Sequence, residues 1–235
     1  MKKKAIVAWI LGLAAGAALG VQQMTALTPE MESQIGSKSV VVVVAMLQTA
    51  VMACIAAIVG AWAAPKVNLD KPFVFRKNSI VAALFIGLVS AGIIAVPEKL
   101  VFAEALGLED QYQFSWLYFV GSVLYGGIIE EVLLRFGLMS LVVWAAGKMT
   151  KSADKSGIYI AGIVIAALVF AAGHLPATAQ MMGLSTMAVV RTMLLNVLPG
   201  IGFGYLYWKH GLGYAMMAHI STHVFNQLIL LPLLF

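Results

Sequence analysis

Two adjacent glutamates, Glu130 and Glu131, occur in an apolar stretch that runs from Phe114 to Ala146. An acid at the centre of a membrane helix costs about 2.5–3.5 kcal/mol to insert, so such residues are candidate functional groups. Glu131 and Arg135 have the i, i+4 spacing that favours an ion pair on one helix face. Glu130 points about 100° away from that face and has no partner nearby in the sequence. We therefore predict Glu130 as a candidate general base and the Glu131–Arg135 pair as structural, with an ion-pair cluster that only holds the helices together as the alternative.

Small residues share the helix face of Glu130. Ser122 and Gly126 precede it by two turns and one turn. Small side chains let a neighbouring helix or a peptide approach a membrane helix closely. This face is therefore where we expect a substrate or another helix to meet Glu130.

A second polar position follows in the segment Phe170-Ala171-Ala172-Gly173-His174. Phe170 and His174 are spaced to share one helix face, and Pro176 is expected to end the helix just beyond them. A lone histidine in an apolar helix is as often a packing residue as a reactive one. His174 is thus a candidate catalytic residue that needs support from other motifs.

The last apolar stretch carries three polar side chains on one face. His219 and His223 are spaced i, i+4, and Asn226 continues the stripe. Packing alone rarely places two imidazoles and an amide on one stripe, so these residues are candidate catalytic groups. Carboxylate, imidazole and amide together are suited to activating a water molecule and stabilising an oxyanion.

The composition indicates which elements position these residues. Of the 235 residues, 62% are hydrophobic and 11% are charged, far fewer charges than a soluble domain carries. The sequence predicts an all-α, polytopic transmembrane helix bundle over residues 1–235 as one membrane domain, with seven crossings and about eight helical pieces. The predicted spans are Ala5–Val21, Ser39–Ala64, Ser79–Pro97, Phe114–Ala146, Gly157–His174, Ala188–Trp208 and Gly213–Leu231.

The fourth span is too long for one perpendicular crossing. At about 1.5 Å per residue it would reach roughly 50 Å, so we expect it to tilt strongly or to break near Arg135–Gly137.

The distribution of lysine and arginine predicts the orientation of the spans. With the N-terminus in the cytoplasm, the outside loops hold only two basic residues, Lys38 and Lys99. The C-terminus is then outside, and the first span is expected to be retained as a signal anchor. Because the basic residues are spread over loops, we expect no nucleic-acid partner. The segment Glu98–Gln113 is predicted to be an amphipathic interfacial helix. The predicted cytoplasmic basic residues are Lys2, Lys3, Lys4, Lys66, Lys71, Arg76, Lys77, Lys148, Lys151, Lys155 and Lys209.

The three polar segments, in this order, resemble the signature motifs of the CPBP intramembrane proteases, the superfamily that includes the type II CAAX prenyl proteases and the bacterial "Abi" proteins. The matching motifs are Glu-Glu-x-x-x-Arg at Glu130, Glu131 and Arg135, Phe-x-x-x-His at Phe170 and His174, and a His-x-x-x-Asn/Asp pattern beginning at His219. The resemblance covers the C-terminal half, and residues 114–231 are the expected catalytic core.

The resemblance implies a role for each residue. Glu130 is expected to activate water, His174 to help position it and transfer a proton, Glu131 and Arg135 to support Glu130, and His219 to stabilise the oxyanion. The third motif departs from the family, because His223 occupies the position that is usually Asn or Asp. Either the His223 imidazole or Asn226, one turn further on, is then the second oxyanion donor.

The resemblance implies an endopeptidase acting on a peptide or membrane-protein segment, of the CAAX or leader-peptide type, at the lipid bilayer. It leaves the cofactor open. Zinc held by Glu130, His174, His219 and His223 is one option, and a metal-independent mechanism is the other. The alternatives from other functional classes are a non-catalytic scaffold or bacteriocin-immunity protein, an ion-coupled carrier and a bis-histidine haem protein.

Overall fold

The computed structural model describes residues 1–25, 27–35, 37–108, 113–150 and 156–235, and all regular structure within these ranges is helical. This confirms the predicted all-α class. The helices are α1 Lys2–Thr25, α2 Pro29–Ile35, α3 Lys38–Ala63, α4 Lys77–Pro97, α5 Ala103–Leu106, α6 Trp116–Gly121, α7 Ser140–Met149, α8 Ser156–Gly173, α9 Leu175–Met182, α10 Thr186–His210, α11 Leu212–Phe225 and α12 Leu231–Leu234.

Six helical segments of the described chain are long and apolar enough to cross a membrane. Only about a third of each apolar window is buried within the protein, so most of its surface faces outward. Exposed large side chains such as Val44, Ile55, Phe85 and Leu88 cover these outer faces. Extensive exposed apolar surface is the opposite of what a soluble monomer shows, and identifies a multi-pass membrane protein. The six segments are Lys2–Thr25, Lys38–Val67, Lys77–Leu106, Ser156–Met182, Thr186–His210 and Leu212–Leu234.

The seventh long element is continuous helix from residue 116 to residue 149, which we call the motif helix because it carries Glu130, Glu131 and Arg135. Of the two expected alternatives, strong tilt or a break near Arg135–Gly137, the break does not occur. Over Ser122–Glu130 and Val132–Met139 the backbone is π-helical, with i→i+5 hydrogen bonds, and the helix continues into α7. π-Helical turns keep the backbone polar groups paired, so a long helix can change its pitch at a polar site without ending.

Glycine permits close contact between the first two long helices. Cβ atoms built on Gly12, Gly16 and Gly20 of α1 would each lie 2.6 Å from a backbone carbon of α3. A side chain at any of these positions would force the helices apart. This packing of small residues against backbone is the usual way that membrane helices associate.

The same principle sets the position of α11 against the motif helix. A Cβ at Gly127 would lie 2.4 Å from the Ile220 side chain. The neighbouring Gly126 faces His223, with its Cβ position 2.7 Å from Nε2. These contacts bring the third polar segment beside the first.

The segment that begins at Glu98 differs from its prediction. The residues Glu98–Phe102 and Ala103–Leu106 extend α4 without a break, and Gly107 ends this extension with a left-handed backbone (φ 65°). Glu98 is 2% exposed and forms an ion pair with Arg191 of α10. The prediction of a separate interfacial helix starting at Glu98 was therefore wrong, because its first acid is inside the bundle. Residues 109–112 of that prediction, and Lys151 and Lys155 of the predicted cytoplasmic loop, lie outside the described residues.

Candidate active site

The three polar segments meet inside the bundle. The motif helix contributes Glu130 and Glu131, the junction of α8 and α9 contributes His174, and α11 contributes His219 and His223. His174 and His219 both approach Glu130, and His219 also bonds to Glu131. Side chains up to 88 residues apart in the sequence are thereby in contact.

Glu131 and Arg135 are both fully buried and form the predicted ion pair. Arg135 Nη1 donates to Glu131 Oε1 at 2.9 Å, and Arg135 Nη2 donates to the Gly200 carbonyl of α10, also at 2.9 Å. The guanidinium also faces the rings of Phe170 and Phe203, at 5.1 and 5.4 Å from their centroids. Buried charges need this degree of pairing, because an unpaired ion is costly away from water.

Glu131 also fixes His219. The imidazole Nδ1–H donates to the same Glu131 Oε1 at 2.9 Å, and the ring stacks on Phe203 with centroids 4.5 Å apart. Because the carboxylate accepts the Nδ1 proton, the neutral His219 ring carries a lone pair on Nε2. The Glu131–Arg135 pair therefore orients His219, whereas the sequence predicted that it supports Glu130.

Glu130 has a different environment from its neighbour. Its side chain is 13% exposed, with Oε1 lying 3.8 Å from His174 Nε2 and Oε2 lying 4.0 Å from His219 Nε2. These separations are too long for direct hydrogen bonds and suit a bridging water. Glu130 is thus a carboxylate flanked by two imidazoles and not tied to a fixed cation.

His174 lies at the point where two helices join. α8 ends at Gly173, and α9 begins at Leu175 with Pro176 in its first turn, where the missing N–H of proline is tolerated. The His174 Nδ1–H donates to the Phe170 carbonyl at 2.9 Å, which leaves the Nε2 lone pair on the side of Glu130. The side chain is 36% exposed. The site therefore opens to its surroundings beside His174.

His223 stacks on His219, with ring centroids 5.0 Å apart and planes inclined by 22°. Gln227 Nε2 lies 3.3 Å from His223 Nδ1, whereas His223 Nε2 is buried and has no hydrogen-bond partner among the described residues. A Cβ at Gly126 would lie 2.7 Å from this Nε2 and 3.6 Å from Glu130 Oε2. The absence of a side chain at Gly126 therefore lets His223 pack directly against the motif helix, close to Glu130.

Asn226 is less closely tied to the cluster. Its Oδ1 is buried and has no hydrogen-bond partner in the described part of the chain. The helix becomes π-helical at this residue, over Asn226–Leu230. The contacts that link the catalytic candidates to one another run through His219 and His223.

Sequence reasoning gave Phe203 and the Gly200 carbonyl no role at the site. It placed Gln227 only at the fourth position of a third motif begun at His223, an alignment set aside in favour of His219, although the i, i+4 spacing puts Gln227 and His223 in contact on a helix. The Gly200 and Phe203 contacts reach the site from α10, and no local spacing signals them.

The donor atoms at the site do not form a metal site as they are placed. Within the described residues, no group of three or more His, Cys, Asp or Glu side chains is arranged to hold a metal ion. The Nε2 atoms of His174 and His219 approach different oxygens of Glu130, at 3.8 and 4.0 Å, and the described contacts of the His223 ring are with Gln227 and the His219 ring. The predicted zinc ligand set therefore does not fit this geometry, and no step below is derived through a metal.

The comparison with protein families gives a match over the segment that carries most of the candidate site. No curated protein and no solved structure matches the chain. Residues 112–225 match the model described as type II CAAX prenyl endopeptidase Rce1-like, and this segment includes Glu130, His174, His219 and His223. That match is consistent with the resemblance to the CPBP proteases. Over residues 112–225 the chain is therefore similar to the Rce1-like type II CAAX prenyl endopeptidases, a family of proteases.

Proposed function

We propose that this protein is an intramembrane endopeptidase in which Glu130 activates a water molecule. The observation that carries the proposal is the environment of Glu130, which is partly exposed and has two imidazole nitrogens within 4.0 Å but no fixed cation. A carboxylate held in this way is able to accept a proton. The family match supports a protease reaction at this site.

The water would bind between Glu130 and His174. Both Glu130 Oε1 and the neutral His174 Nε2 are hydrogen-bond acceptors, and they are 3.8 Å apart. One water can donate a hydrogen bond to each of them, which directs a lone pair of its oxygen away from both. Transfer of a water proton to Glu130 then produces the hydroxide that attacks the carbonyl carbon of the peptide bond.

The attack converts the carbonyl oxygen into an oxyanion that needs a hydrogen-bond donor. His223 Nε2 is buried and unpartnered among the described residues, and it lies against Gly126 on the side of the motif helix that carries Glu130. We assign the oxyanion donor to His223 and not to His219, because the neutral His219 ring gives its proton to Glu131 and accepts at Nε2. The accepting Nε2 of His219 would instead help to hold the proton on the Glu130 carboxyl group.

Collapse of the tetrahedral intermediate completes the reaction. The proton taken up by Glu130 passes to the leaving nitrogen, directly or through His174, while the carbon–nitrogen bond breaks. The products are a new carboxyl group and a free amine, and Glu130 returns to its ionised form. The hydroxide part of the water is then in the new carboxyl group, and its other proton is on the amine.

The substrate is proposed to be a membrane-associated peptide segment of the CAAX or leader-peptide type. The exposed side of His174 gives such a segment a route to Glu130. The family description supports the CAAX type.

Cleavage by the purified full-length protein tests this function. Prenylated CAAX peptides and membrane-anchored leader peptides are incubated with wild type, Glu130→Gln and the exposed control Glu104→Gln. Because a general base contributes about 10²–10⁴ in rate, Glu130→Gln should lose that much activity while its melting temperature in detergent stays unchanged. The control should cleave like wild type, and a parallel sample with a zinc chelator reports whether a metal takes part.

Two results would contradict the proposal. One is cleavage that persists in Glu130→Gln at the wild-type rate. The other is wild-type cleavage no greater than that of the variant across both peptide classes, which would favour the non-catalytic scaffold.

A further inference from the structure

We infer that Gln227 is a positioning residue that holds His223 in the tautomer with its proton on Nε2. Gln227 is 8% exposed and lies one turn beyond His223, with its amide nitrogen 3.3 Å from His223 Nδ1. An amide nitrogen can only donate, so the ring nitrogen that it contacts must accept. A neutral imidazole with an accepting Nδ1 carries its proton on Nε2.

This tautomer presents a hydrogen-bond donor to the active site. His223 Nε2 is buried and has no partner among the described residues, and it lies against Gly126 near Glu130. A buried donor needs an acceptor. An oxygen of the bound substrate would supply one.

The neighbouring imidazole has the opposite tautomer. His219 donates from Nδ1 to Glu131, so its Nε2 is an acceptor, whereas His223 accepts at Nδ1 and donates from Nε2. The two rings are stacked 5.0 Å apart on the same face of α11. Two different partners thus give the stacked rings different roles, and Gln227 is the partner that sets the role of His223.

The inference explains the departure of this chain from the family pattern. An asparagine at position 223 would offer an N–H donor whatever its neighbours, but a histidine offers one at Nε2 only if Nδ1 is not protonated. The catalytic consequence rests on the proposed function. The tautomer itself does not, so the two can be tested separately.

The kinetic test compares Gln227→Glu with Gln227→Met. A carboxylate at position 227 accepts the Nδ1 proton and turns Nε2 into an acceptor, so kcat should fall by about 10²–10³, the usual cost of one oxyanion donor, with KM little changed. Methionine has similar length and no strong polar group, so either tautomer can form and the loss should be smaller. In a His223→Asn background neither change at position 227 should lower kcat further, because the asparagine amide donates without help.

The tautomer is read independently by ¹⁵N NMR of the full-length protein with labelled histidine, the His223 signals being assigned by their loss in His223→Asn. The expected spectrum has a protonated Nε2 and an unprotonated Nδ1 at His223, reversed in Gln227→Glu. A wild-type spectrum with Nδ1 protonated would overturn the inference whether or not the protein cleaves peptides. An equal loss of kcat from Gln227→Glu in the wild-type and His223→Asn backgrounds would also overturn it, since Gln227 would then act on the fold.

The outcomes separate this inference from the proposed function. If no peptide is cleaved but the spectra show the expected tautomer and its reversal, then the role of Gln227 stands and the protease proposal fails. If peptides are cleaved but the tautomer is the other one, then the protease proposal stands and the role of Gln227 fails.

Discussion

Two ion pairs between an arginine and a buried acid occur among the described residues of this membrane domain, and they are built differently. Glu98 and Arg191 are 93 residues apart and join the extension of α4 to α10, with Arg191 Nε 2.7 and 3.0 Å from the two Glu98 oxygens. Glu131 and Arg135 lie one turn apart on the motif helix. Glu131 Oε1 accepts hydrogen bonds from both Arg135 and His219, whereas Oε2 has no hydrogen-bond partner among the described residues.

The difference shows what each pair contributes. Both oxygens of Glu98 face one cation, which suits a contact that holds two helices together. A single oxygen of Glu131 accepts hydrogen bonds from both the Arg135 guanidinium and the His219 imidazole, so this pair orients His219. Arg135 also donates to the Gly200 carbonyl of α10. Buried ion pairs add little net stability compared with apolar residues, so orientation of neighbouring groups is the better explanation for the second pair.

The largest expected effect comes from removing one cation from each pair. Arg135→Met and Arg191→Met each remove the cation that pairs with a buried carboxylate, a change that typically costs about 3–5 kcal/mol. Both variants should have a lower melting temperature in detergent than wild type. At a temperature where both remain folded, only Arg135→Met should lose peptide cleavage, because only Arg135 holds the group that orients His219. Equal activities for the two variants would remove the distinction between the pairs.

A smaller effect is expected from neutralising the acids without changing their shape. Glu131→Gln replaces the acceptor of the His219 Nδ1 proton with an amide that can also donate, so the His219 ring is no longer fixed in one tautomer. We expect a loss of about 10² in kcat, within the range for acid–base groups. Glu98→Gln should lower the melting temperature and leave kcat unchanged. A kcat loss of similar size in Glu98→Gln would show that both pairs act on the site.

The smallest effect is expected from a change at Gly126, which packs against His223 and lies near Glu130. Gly126→Ala places a methyl group 2.7 Å from His223 Nε2, so the imidazole must shift, and we expect about a tenfold loss of kcat with an overpacking cost of about 1–3 kcal/mol. The matched control is Gly92→Ala in α4, where a Cβ meets nothing within 4 Å. That control should keep full activity and gain up to about 1 kcal/mol of helix stability. Unchanged cleavage by Gly126→Ala would mean that the substrate does not pass between these groups.

Much of the fold was predictable from the sequence. The spans were found because the bilayer requires about 20 apolar residues per helix, and α10 and α11 follow the predicted Ala188–Trp208 and Gly213–Leu231 closely. The sequence left open whether the motif helix is tilted or broken, because a change to π-helical hydrogen bonding leaves no clear mark in composition.

The sequence by itself determined which side chains share a helix face, and therefore the Glu131–Arg135 pair and the neighbouring positions of His219 and His223. These follow from the 3.6-residue period of a helix, which fixes neighbours one turn apart. Only the tertiary structure decided that Glu131 bonds to His219 and that Glu98 is buried against Arg191. Contacts between helices depend on how each helix is rotated and shifted along its neighbour, and close packing at residues such as Gly127 sets that register.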